Sequence, residues 1–165
     1  DDVVFEIELI RQIEINIDYI LMLIKKYHDS HLQDKEIVVN INKSDFLSYT
    51  INGNKKDGIS IAAGDKLTLN NVSMKNFKGT DGSAIFNKGT ITNITGNFNE
   101  NKASDQGGAI RNSGTGEIKE IVNSNFDNNY AQSISNTSLG GAIYNNYRGA
   151  GAIIKNIKGN FITLL

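Results

Sequence analysis

Phe98-Asn-Glu-Asn101 is followed by Gly107-Gly-Ala-Ile110, and the same two motifs return as Phe126-Asp-Asn-Asn129 and Gly140-Gly-Ala-Ile143. Motifs that recur in a fixed order indicate a small supersecondary unit stacked on copies of itself. We therefore predict a repeat protein in this region and not a globule built around one catalytic centre.

The segment that leads into each phenylalanine follows a common pattern of two apolar residues and then the ring. The four copies are Leu69–Val72–Phe77, Ile91–Ile94–Phe98, Ile118–Ile121–Phe126 and Ile154–Ile157–Phe161. The connection from the ring to the Ala-Ile pair lengthens from copy to copy, as loops on one face of a solenoid do. Short apolar runs bounded by Gly and Asn are typical of strands. The chain is predicted to be mainly β, with a right-handed parallel β-helix over residues 41–161.

Equivalent residues of successive coils lie one above the other in such a solenoid. The predicted repeat core has an aromatic stack of Phe77, Phe98, Phe126 and Phe161 and an aliphatic stack of Ile85, Ile110 and Ile143. The predicted corner residues are Gly107, Gly108, Gly140 and Gly141, with an amide ladder of Asn87, Asn112 and Asn145. Because neighbouring strand residues face opposite ways, Phe86, Arg111 and Tyr144 are expected to form an exposed column suited to binding.

Residues 1–37 differ from the rest of the chain, since all 16 glycines lie at or after Gly53. Apolar residues spaced by three and four predict an amphipathic helix over about residues 2–29. Its predicted interface consists of Ile10, Ile13, Ile17, Ile20 and Ile24. A second pattern competes with the first, because Ile13, Ile15 and Ile17 also alternate as they would in a strand.

Composition excludes several classes of function. The net charge of −1 provides no overall basic field for nucleic acid, and the absence of cysteine excludes disulfides and thiolate metal sites. His28 and His31 flank Asp29 without a recognised ligand spacing, so we expect a solvated helix end and no metal. The longest apolar run, 19–24, is too short to cross a membrane.

A catalytic constellation is also missing from the sequence pattern. Asp105, Arg111 and Glu117 are candidates to line a carbohydrate groove, but glycoside cleavage needs a carboxylate pair and none is visible. We expect no enzyme activity and no cofactor.

The chain carries two resemblances. Its G-G-A-I and F-x-x-N repeats over about residues 41–161 resemble those of polymorphic outer-membrane proteins and related autotransporter passenger domains. That resemblance implies a β-helical adhesin or display module at the bacterial surface or secreted. The run from Asp1 to about Ile37 resembles the helical C-terminal region of the restriction (motor) subunit of type I restriction enzymes. That resemblance implies an assembly segment in the cytoplasm, here without motor or nuclease motifs.

The first functional hypothesis is therefore a non-enzymatic surface or passenger-type module, a fragment or a fused frame, that binds a protein or carbohydrate partner. The alternative is the assembly segment of a restriction subunit. We also expect self-association, because the apolar end at 159–165 has no polar cap over the last coil.

Overall fold

The computed structural model describes residues 3–9, 14–16, 18, 21–22, 37–43, 49–133, 139–146 and 151–162 of the 165-residue chain. This part is mainly β. Its first strands are β1 (Val3–Leu9), β2 (Glu14–Asn16), β3 (Ile37–Lys43), β4 (Tyr49–Asn52) and β5 (Ile59–Ile61). The next are β6 (Lys66–Leu69), β7 (Val72–Lys75), β8 (Lys78–Asp81), β9 (Ile85–Asn87), β10 (Thr90–Ile94), β11 (Phe98–Asn99), β12 (Lys102–Gln106) and β13 (Ile110–Asn112). The last are β14 (Glu117–Asp127), β15 (Tyr130–Ala131), β16 (Ile143–Asn145) and β17 (Ile153–Ile162).

The strands form a parallel β-solenoid of about three turns. One turn runs through β6 to β9, the next through β10 to β13, and the third through β14 to β16. Three sheets result, ordered β1-β3-β6-β10-β14-β11-β7-β4-β2, β15-β12-β8 and β16-β13-β9-β5. The first sheet joins two faces of the solenoid, because β14 is long enough to pair with both β10 and β11. β17 extends this sheet beyond β14.

The core is built from columns of apolar residues that repeat once per coil. Leu67, Ile91 and Ile118 are in register in one column, and all three are fully buried. The β-branched isoleucines fit the pleated, half-buried surface of a strand. Ile59, Ile85, Ile110 and Ile143 form a second column on the opposite wall of the solenoid.

The phenylalanine column begins one coil later than the sequence pattern predicts. Phe98 and Phe126 are stacked with ring centroids 4.8 Å apart and an angle of 4° between the rings. Phe126 is in register with Phe161, but the residue below Phe98 is Met74. The prediction that Phe77 continues this column is therefore wrong, although its side chain is buried in the core. The equivalent of the F-x-x-N motif in this coil is Met74-Lys-Asn-Phe77.

The long N-terminal helix over residues 2–29 is not supported. Residues 3–9 and 14–16 are strands, and they pair in parallel with β3 and β4 in unbroken registers of seven and three residues. The physical reason is that a neighbouring coil satisfies the backbone groups of a β-branched segment, which outweighs a weak local helix preference. The predicted helix interface at Ile10, Ile13, Ile17, Ile20 and Ile24 lies outside the described residues. In the described part of the chain, no helix has the length and apolar character needed to span a membrane.

Candidate functional site

The predicted asparagine ladder links the coils, with Asn87 and Asn112 buried and Asn145 exposed at its end. Asn87 Nδ2 donates to Asn112 Oδ1 at 2.7 Å, and Asn112 Nδ2 donates to Asn145 Oδ1 at 2.8 Å. The amide of Asn112 also donates to the carbonyl of Gly116 at 3.0 Å, which holds the turn that follows the strand. Because Asn87 and Asn112 are fully buried and bonded, they support the site and do not face a ligand.

A second amide ladder stands at another corner and was not predicted. Asn101 Nδ2 donates to Asn129 Oδ1 at 2.8 Å, and Asn129 Nδ2 donates to the carbonyl of Phe98 at 2.7 Å. Phe77 occupies the equivalent position in the coil below, where its N–H donates to Asn101 Oδ1. The fourth residue of F-x-x-N is thus a corner residue. The constant three-residue spacing between the phenylalanine and this asparagine is the sequence feature that indicates the role.

The Gly-Gly-Ala segment turns the chain from one sheet to the next. Gly107 and Gly140 have φ values of 64° and 68°, in the left-handed region that favours glycine. A Cβ atom on Gly108 would lie 1.9 Å from the carbonyl oxygen of Gly141, so two coils approach closely here. In the first copy Ser83 replaces the second glycine and donates its hydroxyl to the carbonyl of Gly108.

Phe86, Arg111 and Tyr144 lie in register on the outward side of β9, β13 and β16, and we call them the arginine column. The guanidinium carbon of Arg111 lies 5.4 Å from the Phe86 ring centroid and 6.0 Å from that of Tyr144. These distances place the cation between two aromatic rings, an arrangement that favours cation–π attraction. All three side chains are half-buried, whereas the sequence pattern predicts an exposed column.

The charge of Arg111 is partly neutralised by the chain itself. Arg111 Nη1 lies 2.5 Å from Asp81 Oδ2, while Arg111 Nε and Asp81 Oδ1 are buried and have no hydrogen-bond partner among the described residues. Since buried polar atoms are ordinarily paired, these two atoms retain unused bonding capacity. The arginine column is therefore an aromatic platform whose positive charge is partly paired within the chain.

An open cleft of about 320 Å³ adjoins the platform. We call it the aspartate cleft, and its polar or aromatic lining residues are Asp57, Ser60, Thr80, Asp81 and Phe86. Two carboxylates and two hydroxyls beside a ring provide hydrogen-bond acceptors, donors and an apolar surface. Sugars and peptides offer complementary groups, and the cleft has the size of a small ligand site.

The other acidic and basic candidates are not brought together. Glu117 pairs with Lys155, and this hydrogen bond is the main reason that the pKa of Glu117 is lowered. Arg111 pairs with Asp81, so within the described residues no ion pair joins Asp105, Arg111 and Glu117. His28, His31 and Asp29 lie outside the described residues, and the described residues contain no group of three or more metal-ligating side chains.

The fold is a parallel β-solenoid whose coils carry a repeated motif. The family model for the Chlamydia polymorphic membrane protein repeat matches residues 91–113 and 123–146. The first matched segment spans β10 to β13, so one family repeat corresponds to one coil.

A second family model, the C-terminal region of subunit R of type I restriction and modification enzymes, matches residues 1–75. This match extends well beyond residue 37 and includes strands β1 to β7. Both resemblances noted in the sequence are confirmed as matches, and neither model covers half of the chain. No curated protein and no solved structure matches the chain.

Proposed function

We propose that this chain is a non-enzymatic, passenger-type surface module that binds a protein or carbohydrate partner through the arginine column and the aspartate cleft. The observation that carries the proposal is the match of the polymorphic membrane protein repeat to two successive coils. These coils also hold Arg111 and Tyr144 in register, so the matched repeats supply two of the three residues of the arginine column.

The proposed binding mode is stacking on the half-buried rings with hydrogen bonds to the cleft. Aromatic faces contribute contact area at a low entropy cost, and the carboxylates of Asp57 and Asp81 orient hydroxyl or amide groups. The solenoid holds the three column residues and Asp81 on strands, which fixes their spacing without the help of a ligand. Under this proposal the localisation is the bacterial surface or the medium.

An array of immobilised glycans and extracellular-matrix proteins tests the binding function. The wild-type chain should bind a subset of the array, Tyr144→Ala should lose that binding, and Tyr144→Phe should retain it because the ring remains. Lys158→Ala, a change at an exposed residue on another face, is the matched control. Equal binding by wild type and Tyr144→Ala would refute the role of the platform.

Protease treatment of intact bacteria that produce the chain tests its location. A surface module should be cleaved while a cytoplasmic marker stays intact. Protection of the chain together with the marker would contradict the proposal.

The second candidate function is an assembly segment of a type I restriction enzyme, and the match over residues 1–75 favours it. In that case residues 1–75 should retain the type I restriction subunits in a pull-down from a strain that expresses them. The same pull-down with residues 76–165 is the control, because that segment lies outside the matched region.

A further inference from the structure

A second groove lies at a different corner of the solenoid, away from the arginine column. It has a volume of about 410 Å³. We call it the lysine groove, and it is lined by Lys55, Asn76, Phe77, Lys78, Glu100, Lys102, Asn128 and Tyr130. Its lining residues come from the three turns and from the β4–β5 connection before them, so the groove runs along the solenoid axis.

The backbone fixes this direction. Lys55, Asn76, Glu100 and Asn128 all have φ values between 53° and 61°, so each coil makes the same left-handed corner here. Two residues later, Lys78, Lys102 and Tyr130 are in register across β8, β12 and β15. Neighbouring coils are about 4.8 Å apart, so the three steps from the corner at Lys55 to the corner at Asn128 span about 14 Å along the axis.

The groove is locally basic in a chain that is not basic overall. Three lysines line it against one glutamate, whereas the whole chain has a net charge of −1. Within the described residues, neither Lys55 nor Lys78 takes part in an ion pair. Lys102 Nζ lies 4.8 Å from the centroid of the Tyr130 ring, which positions its ammonium beside an exposed aromatic surface.

We propose that the lysine groove binds a linear acidic polysaccharide that lies along the solenoid axis. The lysines would pair with its carboxylate or sulfate groups, the amides of Asn76 and Asn128 would bond to its hydroxyls, and Tyr130 would contact a sugar face. Lys78 and Lys102 in register, with Lys55 at the corner before them, fit an extended polymer with charges along its length.

Single-stranded nucleic acid offers a similar combination of anions and stacking surfaces but fits less well. Non-specific nucleic-acid binding draws on many phosphate contacts and a general basic field. Here the basic field is confined to three lysines, and asparagine amides supply the remaining polar lining. Nucleic acid is therefore an outcome of the test and not the proposal.

Isothermal titration of the full chain provides the test, with oligogalacturonate, sulfated dextran, neutral dextran and oligo(dT) as probes. We expect binding of one or both acidic saccharides, weakened by added salt, and none of neutral dextran. The double variant Lys78→Ala/Lys102→Ala should bind about tenfold more weakly, the factor expected when two exposed ion pairs are removed. Tyr130→Ala should weaken binding, and Tyr130→Phe should preserve it.

The matched control is Lys119→Ala/Lys158→Ala, which removes the same charge from exposed positions outside the groove. This control should bind like wild type, and circular dichroism should show every variant folded. Absence of binding to both acidic saccharides would overturn the proposal, as would equal losses in the two double variants. Tighter binding of oligo(dT) would assign the groove to nucleic acid instead. The arginine column plays no part in this test. A negative result for the lysine groove therefore leaves the proposed binding function of the arginine column unaffected.

Discussion

At the scale of single residues, asparagine and glycine set the geometry of the coil. Asn112 illustrates the role of asparagine, because its fully buried amide bonds to Asn87, Asn145 and the carbonyl groups of Gly116 and Ile153. A residue that satisfies several buried groups is costly to remove, since its partners lose bonds that water cannot replace.

Asn112→Ala should lower the free energy of unfolding by about 2–3 kcal/mol, because it leaves buried donors and acceptors unpaired. Urea denaturation measures the change. Asn125→Ala is the control, since the Asn125–Asn97 bond of 3.0 Å is exposed, and its cost should be about 0.5 kcal/mol. Similar losses in both variants would mean that the buried ladder contributes no special stability.

Two glycines at equivalent positions should respond differently to alanine. A Cβ on Gly108 would meet the carbonyl oxygen of Gly141 at 1.9 Å, whereas a Cβ on Gly141 would find its nearest neighbour at an ordinary 3.5 Å. Gly108→Ala should therefore cost about 2 kcal/mol and Gly141→Ala well under about 1 kcal/mol. Thermal melting of the two variants compares them, and the reverse order would show that the two coils are not packed as described.

At the scale of strands, the sequence predicted the later coils well and the first ones poorly. The G-S-A-I motif and the two G-G-A-I motifs place Ile85, Ile110 and Ile143 in one register, because equivalent residues of successive repeats stack. The repeat pattern predicts a phenylalanine in the stack at every coil. Met74 and not Phe77 occupies the stack position in the coil of β6 to β9. Volume and apolar character decide a core position, and several side chains meet that requirement.

The N-terminal strands were missed for another reason. Ile13 and Ile17 fit both a helical and an alternating pattern, and local propensity does not separate the two. The choice of strand depends on β3 and β4, which are distant in sequence. Of the candidate site, the row Phe86, Arg111 and Tyr144 followed from alternation. Asp81 and the lysine groove depend on corner geometry that the sequence pattern did not reveal.

The pairing of β14 with β17 includes a titratable contact. Because Lys155 lowers the folded-state pKa of Glu117, this contact stabilises the protein at neutral pH and is lost as the pH falls from the ordinary value of 4.5 through the lowered pKa. Lys155→Met should raise the Glu117 pKa toward its ordinary value and remove about 0.5 kcal/mol or less at neutral pH, since the pair is exposed. A carboxyl NMR titration reports the pKa, and an unchanged value would exclude Lys155 as its cause.

At the scale of the complete fold, the exposed strand β17 determines how the solenoid can associate with other chains. In the described residues β17 pairs only with β14, and its Ile153 and Ile157 are 50% and 39% exposed. An exposed apolar edge strand favours association with another chain.

We expect the chain to self-associate in a concentration-dependent manner and Ile157→Lys to reduce this association, because a charge on an edge strand opposes pairing. Light scattering over a concentration series measures both. Ile51→Val, a small change in the buried core, is the control and should leave association unchanged. A wild-type chain that stays monomeric throughout the series would contradict the expectation.

One repeat forms one coil of this solenoid, so residues 27 positions apart become neighbours. Thr90 is in register with Glu117 on adjacent strands, and the chain has no cysteine of its own. Oxidation of Thr90→Cys/Glu117→Cys should give an intramolecular disulfide, because adjacent strands have the Cα separation that a disulfide needs. Thr90→Cys/Glu120→Cys, three residues out of register and about 10 Å further along the strand, should not. Mass spectrometry of the oxidised monomers decides between them: cross-linking of the first pair alone supports the solenoid, and equal cross-linking of both pairs or of neither contradicts it.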